Sequence, residues 1–231
     1  MYGVYGGFDS TYLLVLAAML LGLWAQSRVQ RTYAKYAAIP TQRGEMANTL
    51  VDDLLRRNGN QVVTVRRVAG QLTDHYDPRD ESLSLSDGVY HSSSIAAIGI
   101  AAHEAGHAMQ KLTGYRLMAL RSALVPAANI GSQAAVPLFI AGLIFAWRPL
   151  MTLGIFAFAL AVLFSLVTLP VELDASRRAM AMLRDGGYLT GDELAGVRKV
   201  LNAAAMTYVA AAIGSLANLL RLVLIARRRD D

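Results

Sequence analysis

Two stretches free of Asp, Glu, Lys and Arg, residues 123–147 and 150–171, constrain this chain more than any other feature. In hydrocarbon such a segment must pair its backbone N–H and C=O groups internally, which makes it a helix. About 20 apolar residues suffice to cross a bilayer. Arg148-Pro149 separates the two, and proline suits a first helical turn, so together they predict a transmembrane hairpin. Pro126 and Pro137 are expected to bend its first arm, and Asn129, Ser132 and Gln133 give it polar points. A third apolar run, 11–26, is followed by Arg28, Arg31 and Lys35. A secretory signal carries its positive charge before the apolar core; here only Asp9 precedes it, which predicts a retained span with Trp24 and Tyr33 near the interface. Residues 203–226 are long enough for one more span, although Asn218 and Arg221 lie within them.

Composition agrees with a membrane protein: 55% of the 231 residues are hydrophobic. The net charge of +5 could suit nucleic acid, but the basic residues cluster beside apolar runs, so no nucleic-acid partner is expected. Arg28, Arg31, Lys35, Lys111, Arg116, Arg121, Arg177, Arg178 and Arg184 fall on one side of the predicted spans. The positive-inside rule places that side in the cytoplasm of a multi-pass protein of the cell membrane, with the Arg227-Arg228-Arg229 cluster as a conflicting vote that an odd number of spans would resolve. The chain has no cysteine, so a metal site would have to use histidines and carboxylates.

Between the first and second apolar runs the chain is mixed. Residues 44–57 carry apolar side chains at helical spacing, and Asn58-Gly59-Asn60 ends them. Residues 61–68 and 82–86 read as strands, with Asp74-His75-Tyr76-Asp77-Pro78 as a polar loop between them. Ser92, Ser93 or Ser94 can cap the helix that follows. That helix contains Ala102-His103-Glu104-Ala105-Gly106-His107. At 3.6 residues per turn, His103 and His107 stack on one face and can share one Zn²⁺, while Glu104 is free to hold a water. Helix, strand, loop, strand, metal-binding helix is the order of the upper half of zinc peptidases, where an edge strand pairs with extended substrate.

The predicted fold is membrane α+β: a helical transmembrane bundle with a small zincin-like catalytic region carrying a short sheet and the H-E-x-x-H helix. Its segments are a first transmembrane helix (1–30), the catalytic region (31–122), a transmembrane hairpin (123–171), a helix supplying the third metal ligand (172–202), and a C-terminal hydrophobic helix with a basic tail (203–231).

Zinc needs a third protein ligand, with water in the fourth position. Besides Glu104, the glutamates are Glu45, Glu81, Glu172 and Glu193, and His75, His91 and several Asp remain. Glu172 stands out, because a carboxylate at the end of a membrane helix needs a cation, a partner or water, and the hairpin returns it to the side of His103. An interfacial Glu paired with Arg177 or Arg178 has equal weight on these grounds.

Over most of its length the chain resembles the neutral zinc metallopeptidases of the YugP type, a membrane-bound bacterial family of the gluzincin group. The likeness lies in LLGLWAQ, GQLTDHYDP, AAHEAGHAMQ, LRSALVPAANIGS, LVTLPVELDASRRA and LNAAAMTYVAAAI. HtpX and the prenyl-protein-processing membrane peptidases are more distantly similar; their downstream motif is a Glu followed three residues later by Ala and then Asp. Glu172 takes the place of that Glu and Ala175 that of the Ala, but Ser176 stands where those relatives carry Asp. The resemblance implies Glu172 as third ligand, one Zn²⁺ per chain, and a membrane-embedded endopeptidase acting on membrane-associated or unfolded polypeptide.

Glu104 would then take a proton from the attacking water and pass it to the leaving amine. His75 and Tyr76 are candidates for the oxyanion or substrate, with a turn held by Asp74, Asp77 and Pro78 as their other explanation. Asp174, Ser176 and Arg178 are candidates for orienting the histidines or substrate. A non-peptide zinc hydrolase, and a zinc-binding scaffold or holdase, are the competing functions. The small residues 210–215 are compatible with a homo-oligomer.

Overall fold

The computed structural model describes residues 11–227; Asp9 before the first span and the tail arginines Arg228 and Arg229 lie outside them. Among the described residues four helices are long and apolar enough to cross a membrane: α1 (Thr11–Ala37), α5 (Arg116–Ile144), α6 (Arg148–Asp185) and α7 (Gly191–Arg227). Between α1 and α5 lie α2 (Ala47–Arg57), β1 (Thr64–Val68), β2 (His75–Asp77), β3 (Ser82–Ser86), the single turn α3 (Asp87–Tyr90) and α4 (Ile95–Leu112).

The sheet has the order β1-β3-β2, with β1 parallel and β2 antiparallel to the central β3. The segment 74–78, expected to be a loop, therefore contributes an edge strand that aligns Tyr76 with Leu83. Three residues are too few to display an alternating pattern, which is why β2 looks polar in the sequence. All five residues of β3 are buried. Its serines are tolerated because each has a partner: Ser82 Oγ donates to Asp80 at 2.6 Å, Ser84 Oγ accepts from Arg66 Nε at 3.0 Å, and Ser86 Oγ donates to Asp74 at 2.9 Å. Burial without those partners would cost about 1–3 kcal/mol per hydroxyl.

Helix α4 runs through the centre. Ser94 caps it, its side chain accepting the Ala97 N–H at 3.2 Å, as one of the three candidate serines should. Alanine and glycine let other helices approach on two sides. A Cβ at Gly99 would press on Val197 of α7, and one at Gly106 would run into the Ala175 carbonyl of α6. α2 covers a third side with Leu50, Val51, Leu54 and Leu55, all essentially inaccessible.

The long helices pack through small residues as well. Gly131 faces Ala157, Gly154 faces Ala135 and Phe139, and Gly142 faces Met151, which makes α5 and α6 an antiparallel pair. Pro126 and Pro137 lie inside α5, and Pro149 occupies the first turn of α6. α6 continues unbroken from its apolar run through Glu172 to Asp185, so the expected division at 171/172 falls in mid-helix. α1 and α7 are also antiparallel: Tyr36 packs near Gly196, Ala18 near Gly214, and Arg221 lies 4.0 Å from the Tyr12 ring.

Candidate metal centre

His103, Glu104 and His107 project from α4 toward α6, and the close α4–α6 approach at Gly106 and Ala175 decides what they meet. Glu172 lies one turn before Ala175 and Ser176 directly after it. Glu172 Oε2 is 3.1 Å from His103 Nε2 and 3.4 Å from His107 Nε2. One donor atom from each residue falls within 4.8 Å of the others, and Glu172 is 3% exposed. Arg121 Nη2 of α5 approaches the other carboxylate oxygen at 3.6 Å. Arg177 and Arg178, the alternative partners for Glu172, pair with Asp174 instead.

The hydrogen bonds behind the histidines determine which nitrogen faces the cluster. Gln110 donates its amide group to the Val171 carbonyl at 2.7 Å and to Asp174 Oδ2 at 3.0 Å. Its oxygen is thereby left for His107 Nδ1 at 3.0 Å, so Nδ1–H donates and Nε2 keeps its lone pair. On the other ring, His103 Nδ1 lies 3.1 Å from Ser176 Oγ. Two imidazole lone pairs and a buried carboxylate converging on one point repel each other unless a cation or proton lies between them. Burial by itself would push the His107 imidazole down, but its bond to Glu172 and the nearby Glu104 charge outweigh burial and hold it up. A set of two nitrogens and one oxygen, each imidazole oriented from behind, fits Zn²⁺.

These residues form the floor of a cleft of about 640 Å³. One wall is the segment 74–79, which contains β2; the other is α5, through Met118, Arg121, Ser122, Val125 and Pro126. Glu104 lines the cleft and is 9% exposed, and among the described residues no side chain hydrogen-bonds its carboxylate. Tyr208 of α7 also lines the cleft.

The remaining candidates separate clearly. Tyr76 lines the cleft, but its hydroxyl donates to Glu81, which also pairs with Lys111 at 2.5 Å. Burial and that carboxylate push the phenol up, so it stays protonated. His75 is exposed, with Nδ1 2.8 Å from the Thr73 carbonyl. Asp174 reaches His107 through Gln110, and Arg178 pairs with Asp174 at 2.6 Å and lies over the Tyr115 ring. His91, which ends α3, is not among the cleft residues. Sequence reasoning missed Gln110, Arg121 and Tyr208. Only Gln110 left a usable signal, since it follows His107 by three residues on the same helix face.

Comparisons with known proteins identify the family of the chain. Residues 11–227 match the family described as "Putative neutral zinc metallopeptidase". The chain is 43% identical over 212 residues to a Bacillus subtilis (strain 168) protein named "Putative membrane protease YugP", covering 92% of this chain and 94% of that protein. No solved structure matches significantly. The chain belongs to the neutral zinc metallopeptidase family.

Proposed function

We propose that this protein is a membrane-embedded zinc endopeptidase of the H-E-x-x-H…E type, cleaving extended segments of membrane-associated or unfolded proteins. The observation that carries the proposal is the convergence of His103, His107 and Glu172 beside an unpaired Glu104, in a cleft walled by an edge strand. Zinc held by the three ligands, one per chain, supplies Lewis acidity and brings the pKa of water toward about 7. Glu104 takes the proton of the attacking water and returns it to the leaving amine. Tyr208, which lines the cleft, is the candidate donor to the developing oxyanion, since the hydroxyl of Tyr76 is engaged by Glu81 and Arg121 by Glu172. An extended substrate pairs with the free edge of β2, in a zincin-like arrangement of sheet and helix.

Membrane insertion is supported by the four apolar helices and by large exposed side chains on them, such as Leu13, Leu23, Ile130 and Phe156. With all four helices spanning, the sheet, α2 and α4 emerge on one side. That side carries every described Lys and Arg except Arg148, Arg221 and Arg227, which makes it cytoplasmic. The even number of spans leaves Arg227, at the end of α7, on the outer side.

The test is Glu104→Gln, which keeps size and removes the base. Zinc should remain bound while cleavage of an unfolded reporter falls by about 10²–10⁴-fold. Cleavage at the wild-type rate would refute the role of Glu104. A wild type that binds zinc but cleaves neither the reporter nor membrane proteins would favour the scaffold.

A further inference from the structure

A second cleft, of about 340 Å³, opens between α1 and α7 and shares no lining residue with the metal cleft. Arg28, Arg31 and Lys35 line it from α1, and Lys199 and Asn202 from α7. The three α1 cations follow an i, i+3, i+7 spacing and so share one helix face. Among the described residues these α1 cations meet neutral partners. Arg28 lies 5.3 Å from the Trp24 ring, Lys35 5.5 Å from the Tyr36 ring, and Arg31 donates to Ser27 Oγ at 2.7 Å. Among the described residues none of the four cations forms an ion pair with a carboxylate. Four like charges around one cleft repel each other and attract an anion.

The position of the cleft along α1 identifies the class of anion. Trp24 stands one turn before Arg28, at the end of the apolar run, where tryptophan marks the headgroup level of a bilayer. Farther toward the N-terminus on the same side of α1, Leu20 and Leu13 are more than half exposed. The cleft therefore opens where an apolar track gives way to charge. We infer that it binds the phosphate of an anionic phospholipid, whose acyl chains lie along Trp24, Leu20 and Leu13. Basic pockets between membrane helices on the cytoplasmic side take such headgroups. Free phosphate would satisfy the cations but leave the apolar track unused. The inference rests on the membrane placement of α1 and not on the peptidase chemistry.

The test uses the full chain purified in detergent, with retained lipid counted by native mass spectrometry. Phosphatidylglycerol, phosphatidylcholine of the same acyl chains, and inorganic phosphate are compared as ligands. Wild type should hold phosphatidylglycerol in preference to phosphatidylcholine, with an affinity that falls as salt rises. Arg28→Gln/Lys35→Gln should weaken it by about 30-fold, while Arg56→Gln/Arg184→Gln, which removes two exposed cations elsewhere, should not. Lys199→Gln reads the opposite wall and should weaken binding in the same direction if the double variant fails to fold. Equal retention by wild type and the cleft variants would overturn the inference. Displacement of the lipid by an equal concentration of inorganic phosphate would also overturn it, by making this a free-phosphate site.

Discussion

At the scale of single residues, the proposed site depends on what stands behind its candidate ligands. Ser176 occupies the position at which more distant relatives carry Asp, and its hydroxyl lies 3.1 Å from His103 Nδ1. A serine oxygen suffices to accept the Nδ1–H and direct Nε2 at the cluster. Ser176→Ala removes that acceptor and should weaken zinc affinity by about 10–100-fold, measured by chelator competition. Ser176→Asp restores an acceptor and should retain zinc. Equal affinity in wild type and Ser176→Ala would show that His103 is oriented by packing alone. The pair His103 and His107 and the adjacent Glu104 were legible in the sequence because helical spacing alone places them. Glu172 was legible only with the help of family resemblance, since nothing local distinguishes a ligand from an interfacial carboxylate. Tyr208 was not legible, because a tyrosine in an apolar run looks like any other residue of a span.

At the scale of elements, the decisive contact is the crossing of α4 and α6. Gly106 lies between the two histidine turns, and any Cβ there would enter the space of the Ala175 carbonyl. The close approach sets Glu172 and Ser176 at working distance from both rings. Gly106→Ala must push the helices apart, at a cost of about 1–3 kcal/mol for overpacking. It should abolish zinc binding even where the variant still folds. Metal analysis of the folded fraction checks this, and full zinc occupancy would contradict it. Helix positions were readable from apolar runs, the serine cap and proline placement. The edge strand β2 was not readable, because its three residues, His75, Tyr76 and Asp77, take their conformation from pairing with β3 and carry no period of their own.

At the scale of the whole molecule, the arrangement of charge predicts an orientation in the membrane. The absence of native cysteine allows it to be tested with single introduced thiols. Phe145→Cys, in the exposed α5–α6 connection, should react with an impermeant maleimide on intact cells. Gln61→Cys, beside the sheet, should react only after permeabilisation. The reverse pattern would place the cleft outside the cell.

The central claim is that one zinc ion, held by His103, His107 and Glu172, makes this cleft a peptidase site. The most direct measurement is the zinc content of purified wild type and Glu172→Ala, with cleavage of an unfolded reporter followed on the same samples. The account predicts about one equivalent of zinc in wild type, with zinc and cleavage lost together in the variant. Zinc retained in full by Glu172→Ala, with cleavage unchanged, would contradict it.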